Sequence, residues 1–136
     1  MSYWLLSSGK NVFQFSECMK KYGFVYWNQQ NKVQVDDLIL IYISVPIGVV
    51  KYLMKVTEIE RTFDQTVDNE EFWIDKTKYL KGKEKNRYFR IDFVKEFESD
   101  KGLRYYDLSH NGLGCVQNMQ RIDGEKLDYF KKIGIL

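Results

Sequence analysis

The stretch VQVDDLILIYISVPIGVVKYLMKV, residues 33–56, decides the fold predicted for this chain. Its run LILIYI at 38–43 is almost wholly apolar and too short for an ordinary helix, which indicates a strand buried on both faces. Pro46 and Gly48 then interrupt the pattern and predict a turn. A second strand follows, in which alternate residues form one buried face: Val50, Tyr52, Met54 and Val56.

Size and composition favour one folding unit. The chain has 136 residues, of which 44% are hydrophobic, enough for the single domain that we predict over 1–136. It contains no run of about 18 apolar residues, and the N-terminus lacks the pattern of a signal peptide, so we expect a cytoplasmic protein without a membrane partner. Cys18 and Cys115 are predicted to be free thiols, because they lie far apart and form no C-x-x-C motif.

The remaining sequence predicts short helices between strands. Residues 3–7 form a first strand, and a capping box at Asn11 and Gln14 predicts a helix of about 10 residues that Gly23 ends. Residues 70–80 predict a second helix, 81–86 a basic loop, and 88–97 an alternating strand. A short helix over 103–109, an extended segment over 115–122 and a last helix through Phe130 complete the chain. We therefore predict an α+β fold: a small mixed β-barrel of five or six strands with short flanking helices.

Charge is unevenly distributed along the chain. The net charge is only +2, yet residues 58–75 carry seven acidic side chains and one basic one, whereas residues 76–90 carry seven basic and one acidic. A local basic segment of this kind is suited to phosphate contacts, because each neutralised phosphate releases counterions. A solvated surface of mixed charge is the alternative interpretation.

Several motifs taken together resemble the EVE domains of the PUA-like superfamily, which are related to YTH, SRA and ASCH domains. Residues 35–46, VDDLILIYISVP, resemble the family pattern V-G-D-I-V-Y-I-Y-x-S-x-P, with Asp36 in place of its glycine. Residues 87–100, RYFRIDFVKEFESD, and 108–130, LSHNGLGCVQNMQRIDGEKLDYF, resemble the family's later strand, its H-G-L and Q-R motifs and its closing helix. Here Asn111 separates His110 from Gly112, and Met119 stands where a proline is common. The resemblance covers residues 3–130.

The resemblance implies a PUA-like barrel that recognises DNA or RNA and takes one base, a modified pyrimidine in our hypothesis, out of the stack into a pocket. It also implies a possible nuclease or defence partner. An extruded base needs flat apolar walls and fixed hydrogen-bonding groups that offset an unstacking penalty of a few kcal/mol. With 16% aromatic residues, the chain has rings to provide such walls.

Particular residues are assigned to this pocket. Trp27 is the first candidate wall, because the resemblance places it at the pocket mouth, and core packing is the alternative for every ring. The predicted base-binding set is Trp27, Tyr26, Trp4 and Tyr42, with Ser7, Ser8 and Ser44 at strand ends. Trp73 is expected behind these rings. The predicted phosphate-binding set is Arg121 and Gln120 in the Q-R motif, with Lys81, Lys83 and Lys85.

Few patterns in the sequence are typical of catalytic sites. The only histidine, His110, cannot by itself build a multi-histidine metal centre, and no nucleophile motif is present. Asp36 and Asp37 are the most suggestive carboxylates, but neighbours on a strand point to opposite faces. We therefore predict a binding module without metal or cofactor. A small ASCH-like hydrolase acting on a modified nucleoside and a protein-interaction module are the alternatives.

Overall fold

A six-stranded mixed sheet organises the computed structural model, which describes residues 1–30, 32–114 and 119–136. The strands are β1 (Tyr3–Ser8), β2 (Phe24–Asn28), β3 (Leu38–Ile43), β4 (Val49–Arg61), β5 (Tyr88–Glu96) and β6 (Met119–Ile122). The helices are α1 (Phe15–Lys21), α2 (Lys76–Lys85), α3 (Tyr105–Ser109) and α4 (Gly124–Lys132). Two short 3₁₀ turns, Phe63–Gln65 and Glu70–Phe72, lie between β4 and α2.

The strands are ordered β2-β5-β4-β3-β1-β6 across the sheet. β1 and β3 are parallel, and the other four pairings are antiparallel. β2 and β6 are the two edges, and no hydrogen-bonded ladder joins them within the described residues. The predicted α+β architecture of six strands and short helices is confirmed, but the sheet is open where a closed barrel was expected.

The predicted central pair forms as β3 and β4. Ile39, Ile41 and Ile43 pack into a core on one face of the sheet, together with residues of α1, and Leu40 packs into a second core on the other face beneath α3 and α4. Both faces of β3 are therefore buried, as its unbroken apolar run predicts.

One detail of β4 differs from the prediction. Tyr52 and Val56 belong to the first core, but Val50 packs in the second. The register shifts between the pairs Ile41–Tyr52 and Tyr42–Val50, because β4 has one extra residue there. A bulge of this kind reverses the alternation of side chains, which simple counting along the sequence does not anticipate.

Helix boundaries differ more from the prediction than strands do. The predicted capping box at Asn11 and Gln14 is wrong: α1 begins at Phe15, and Gln14 makes no side-chain cap. The predicted basic loop 81–86 is also wrong, because α2 continues to Lys85. Gly23 ends α1 as predicted, with a φ of +74°.

The turn into β3 is made by Asp36, which has a φ of +78° where the family pattern has glycine. Asp is one of the few side chains that tolerate this left-handed region. The backbone N–H groups of Asp36 and Asp37 donate to Val56 and Gln34, so the turn forms with an aspartate in the glycine position.

Candidate functional site

An open cleft of about 640 Å³ lies where the parallel strands β1 and β3 end side by side. The N–H of Ser44 donates to the carbonyl of Ser8 at 3.0 Å, which holds the two strand ends together. This volume is in the range of about 300–1,000 Å³ that small-molecule sites have. The cleft is lined by Leu6, Ser7, Gly9, Val12, Trp27, Asn28, Gln30, Ser44, Trp73, Lys78, Lys81, Gly82, Lys85 and Met119.

Two tryptophans form the aromatic part of the cleft. Trp27 on β2 stacks on Trp73, with ring centroids 5.4 Å apart and an angle of 26° between planes. Phe13 meets Trp27 edge-on at 5.1 Å and Trp73 at 4.9 Å. Both tryptophans are only partly buried. Trp73 covers one face of Trp27, so a flat ligand that stacks on Trp27 would use its other face.

Trp73 is held in place by a buried amide. Its indole N–H donates to Asn69 Oδ1 at 2.9 Å, and Asn69 Nδ2 donates to the carbonyl of Tyr26 at 3.1 Å. Asn69 therefore connects the 3₁₀ turn before α2 to strand β2. Within the described residues Trp27 makes no such hydrogen bond through its indole, which leaves that donor available.

Helix α2 forms the wall of the cleft opposite the strand ends. It packs closely against β2. The side chain of Asn28 donates from Nδ2 to the carbonyl of Gly82 at 2.9 Å. A Cβ atom at position 82 would lie 2.1 Å from Asn28 Oδ1, so any larger residue forces the helix or Asn28 to move. The glycine thus permits the close approach that places lysines on the cleft wall.

The charged side chains that line the cleft, among the described residues, are all positive. Lys78, Lys81 and Lys85 line it, and no carboxylate does among the residues that the structure describes. None of these three lysines forms an ion pair within the described ranges, whereas Lys21 and Lys55 elsewhere pair with Glu71 and Asp36. The cleft therefore has an uncompensated positive wall.

Five of the residues predicted from the sequence meet at this cleft: Trp27, Ser7, Ser44, Lys81 and Lys85. The two serine hydroxyls have no hydrogen-bond partner among the described residues, so both can bond a ligand. Sequence reasoning missed Lys78, Asn28, Gln30 and Met119 and placed Trp73 behind the pocket rather than on its surface. All but Lys78 reach the cleft only through packing; Lys78 stands three residues before Lys81, a helical spacing that could have identified it.

Four other predicted residues lie in the protein interior, away from the cleft lining. Trp4 is buried, and its indole N–H donates to Asp37 Oδ2 at 2.9 Å. Tyr26 is also buried, and its hydroxyl donates to Glu58 at 2.9 Å. Tyr42 packs in the second core, on the opposite face of the sheet from Trp27. Ser8 is buried with its hydroxyl unpartnered.

The remaining predicted phosphate contacts occupy different places. Lys83 points away from the cleft, with Nζ 4.6 Å from the ring centroid of Phe63. Gln120 accepts a hydrogen bond from Lys126 at 3.3 Å. Arg121 is exposed on edge strand β6, two residues from Met119 of the cleft lining, and strand alternation puts the two side chains on the same face.

The groups considered for catalysis lie elsewhere. His110 is exposed on the surface, where its Nδ1 bonds the carbonyl of Tyr106 at 2.8 Å. Burial raises the pKa of the Cys18 thiol to about 12, so that thiol is protonated at neutral pH in the folded protein. Cys115, the other predicted free thiol, lies outside the described residues. Among the described residues, no group of three or more His, Cys, Asp or Glu side chains is arranged to hold a metal ion.

Sequence comparisons identify no relative of this chain. No protein-family model matches it, and no curated protein matches it. In the described residues, no helix is long and apolar enough to cross a membrane.

Solved structures, in contrast, match almost the whole chain. The ASCH protein of Zymomonas mobilis has a TM-score of 0.68 at 10% identity, covering 97% of this chain and 95% of that one. A hypothetical protein from Leishmania major has a TM-score of 0.66 at 17% identity, covering 98% and 94%. Human THYN1, solved in complex with DNA containing 5-methylcytosine, has a TM-score of 0.63 at 11% identity, covering 98% and 97%. The chain therefore has the PUA-like fold that the ASCH and THYN1 structures share.

Proposed function

We propose that this chain is an EVE-type nucleic-acid-binding module that accepts one base, extruded from a DNA or RNA strand, in the cleft beside Trp27. The observation that carries the proposal is the open cleft in which a partly exposed indole, two unpartnered hydroxyls and three unpaired lysines face the same space. Such a set offers a stacking surface, hydrogen bonds for a base edge, and positive charge for the backbone.

The base is proposed to stack on the face of Trp27 that Trp73 leaves uncovered. Ser7 and Ser44 come from the ends of two neighbouring strands and are proposed to bond the edge of the base. Lys81 and Lys85 are proposed to contact phosphates, and Arg121 to contact the strand along β6. Trp4, Tyr26 and Tyr42 support the site from the interior, where they are buried, rather than by touching the base.

A modified pyrimidine is the proposed base. The support comes from the human THYN1 structure, which has the same fold and contains DNA with 5-methylcytosine. A location in the cytoplasm and association with a nuclease or defence partner belong to the same proposal, through the EVE resemblance.

The hydrolase alternative has less support from the cleft. Its titratable lining residues are Lys78, Lys81 and Lys85, and the described lining contains no Asp, Glu or His to act as a general base near neutral pH. Binding without bond cleavage is therefore the function that these residues support best.

The test is to replace Trp27 with Ala and measure binding to a single-stranded oligonucleotide containing one 5-methylcytosine. Loss of one base stack, worth about 1–3 kcal/mol, should weaken binding roughly 5- to 150-fold. The same oligonucleotide with an abasic site at that position should bind the parent and the variant equally, because there is no base to stack. Fluorescence anisotropy at fixed salt gives both affinities.

The matched control is Tyr106→Ala, which removes an aromatic ring that is 70% exposed on α3 and does not line the cleft. It should bind as the parent does, and thermal unfolding should show both variants folded. A Trp27→Ala variant that binds the 5-methylcytosine strand as tightly as the parent would contradict the proposal. So would an equal loss of binding to the abasic strand.

A further inference from the structure

The cleft-facing side of α2 carries a regular row of positive charge. Lys78, Lys81 and Lys85 are spaced by three and four residues, so that adjacent members lie about 60° and 40° apart around the helix axis. At about 1.5 Å rise per residue, the first and last are separated by about 10.5 Å along the axis. All three line the cleft, and we call them the lysine row.

Helix stability explains only part of the lysine row. Lys85 lies in the last turn of α2, where the macrodipole favours a positive charge, but Lys78 lies in the first turn, where it disfavours one. The helix carries five lysines and one glutamate, a net charge of +4 in a chain whose total is +2. No member of the row is neutralised by an acidic partner among the described residues, and within those residues no carboxylate lines the cleft that the three lysines share. An anionic ligand is the simplest reason for this arrangement.

The length of the row fits several phosphates rather than one. A nucleotide strand carries a phosphate at every step, so its backbone can place a separate phosphate beside each of the three lysines along the row of about 10.5 Å. A free nucleoside has no phosphate for these lysines. A mononucleotide has one phosphate, which cannot lie beside both ends of the row.

We propose that the lysine row follows the sugar-phosphate backbone, so that the ligand of this cleft is a nucleotide strand and not a free nucleoside or mononucleotide. This inference rests on the proposed function, because it concerns the strand whose base occupies the cleft. It assigns a backbone-binding role to Lys78 and removes Lys83 from the set of phosphate contacts, since Lys83 lies over Phe63 on another side of the helix.

The first experiment changes the protein. Lys78→Ala, Lys81→Ala and Lys85→Ala, singly and together, are compared by binding to a six-nucleotide DNA strand with one 5-methylcytosine between 0.05 and 0.5 M salt. Each lysine that contacts a phosphate of a single strand contributes about 0.7 to the slope of log affinity against log salt. Each single variant should therefore lower the slope by about 0.7, and the triple variant by about 2. For each lysine removed, the ratio of parent affinity to variant affinity should therefore be about five times larger at 0.1 M salt than at 1 M salt.

Lys83→Ala is the matched control, because it removes the same charge from the same helix without touching the cleft. Its slope should equal that of the parent. A drop in slope as large as for Lys81→Ala would show that overall charge, not the lysine row, attracts the strand, and would overturn the proposal.

The second experiment changes the ligand. The parent and the triple variant are compared on 5-methyldeoxycytidine, its 5′-monophosphate, and strands of two, three, four and six nucleotides that contain the same base. The difference in slope between the two proteins should be absent for the nucleoside, grow with each phosphate up to about three, and then remain constant. A difference already complete with the monophosphate would overturn the proposal.

The result for Trp27→Ala separates this inference from the proposed function. If Trp27→Ala weakens binding but the three lysine variants keep the parent slope, the lysine row is overturned and base binding stands. If the lysine variants lower the slope but Trp27→Ala has no effect, the strand crosses α2 as proposed here and base insertion is overturned.

Discussion

Asp36 and Asp37 are adjacent carboxylates that have different structural roles. Asp37 is 2% exposed and accepts three hydrogen bonds, from the backbone N–H groups of Ser2 and Gln34 and from the indole of Trp4, at 2.8–2.9 Å. The side chain of Asp36 is exposed, and within the described part of the chain its carboxylate makes one surface ion pair, with Lys55 at 3.3 Å. The pair that looks suggestive in the sequence therefore combines a buried hydrogen-bond acceptor with a turn residue.

Replacing Asp37 with Asn should destabilise the protein by about 1.5–3 kcal/mol at pH 7. Both carboxylate oxygens accept hydrogen bonds, and an amide replaces one of these acceptors with an N–H donor that faces another donor. Asp36→Asn is the matched control, since Asn also tolerates a positive φ and the lost ion pair is exposed; we expect a change below about 1 kcal/mol. Urea unfolding at pH 7 measures both. Equal losses in the two variants would contradict the structural role of Asp37.

The same substitution gives a pH signature. Burial alone would raise the pKa of the Asp37 carboxyl, but hydrogen bonds from Ser2, Trp4 and Gln34 outweigh it and hold this pKa below its ordinary value. The carboxylate therefore stabilises the fold fully above the unfolded-state pKa of about 3.9, and this contribution is lost as pH falls through the lower folded-state pKa. The stability difference between parent and Asp37→Asn should shrink below about pH 4. A difference that does not depend on pH would contradict this.

At the scale of elements, α2 is the segment on which the proposed site depends most. Asp75 caps its first turn, with the carboxylate accepting from the N–H of Lys78 at 3.2 Å. Asn86 ends the helix in the left-handed region, with a φ of +52°, and its side chain accepts from the N–H of Phe63 at 2.6 Å. The cap at Asp75 lies within the first turn of the helix itself, whereas the contact of Asn86 depends on where the distant Phe63 lies.

Asn86 gives a test of this helix end. Asn86→Ala and Asn86→Gly both lose the hydrogen bond to Phe63, but only alanine is strained at a positive φ. The alanine variant should therefore be about 1 kcal/mol less stable than the glycine variant, the reverse of their order inside a helix. Thermal or urea unfolding gives this difference directly. A more stable alanine variant would mean that α2 does not end at Asn86.

At the scale of the whole molecule, the sheet separates two cores. The first contains Cys18, Phe13 and Phe72 with the isoleucines of β3, and the second contains Leu108 and Phe130 of the helices on the other face. Cys18 is fully buried in the first core, beneath α1. Its thiol is therefore a probe of whether this part of the molecule opens alone or with the rest.

The Cys18 thiol should react with a disulfide reagent only after the protein opens, because burial raises its pKa to about 12 in the folded state. In a Cys115→Ser background, the free energy of opening calculated from the slowed reaction of Cys18 should equal the free energy of unfolding measured with urea. As pH is raised, the rate at which Cys18 reacts with the reagent should level off above the unfolded thiol pKa of about 8.5. A rate that keeps rising tenfold per pH unit beyond this point would indicate direct reaction in the folded protein. Protection much smaller than the global free energy would show that α1 opens locally.

The sequence by itself determined the strands and the type of fold. The apolar run at 38–43 predicted a strand buried on both faces, because successive side chains of a strand point to opposite faces and an unbroken run makes both faces apolar. The serines at the ends of β1 and β3 and the charge of residues 76–90 also predicted part of the candidate site, since each depends on local sequence, whereas Trp27 was placed there by the family resemblance.

Only the tertiary structure decided which of these residues share a space. Trp73 stacks on Trp27, and Asn28 meets Gly82, across 46 and 54 residues of chain, so no local pattern could report either contact. The bulge in β4, the open sheet, and the continuation of α2 to Lys85 likewise follow from packing between distant segments. Propensities act over a few neighbouring residues, whereas a cleft is defined by the distance between elements, and that distance is fixed by the side chains that meet there.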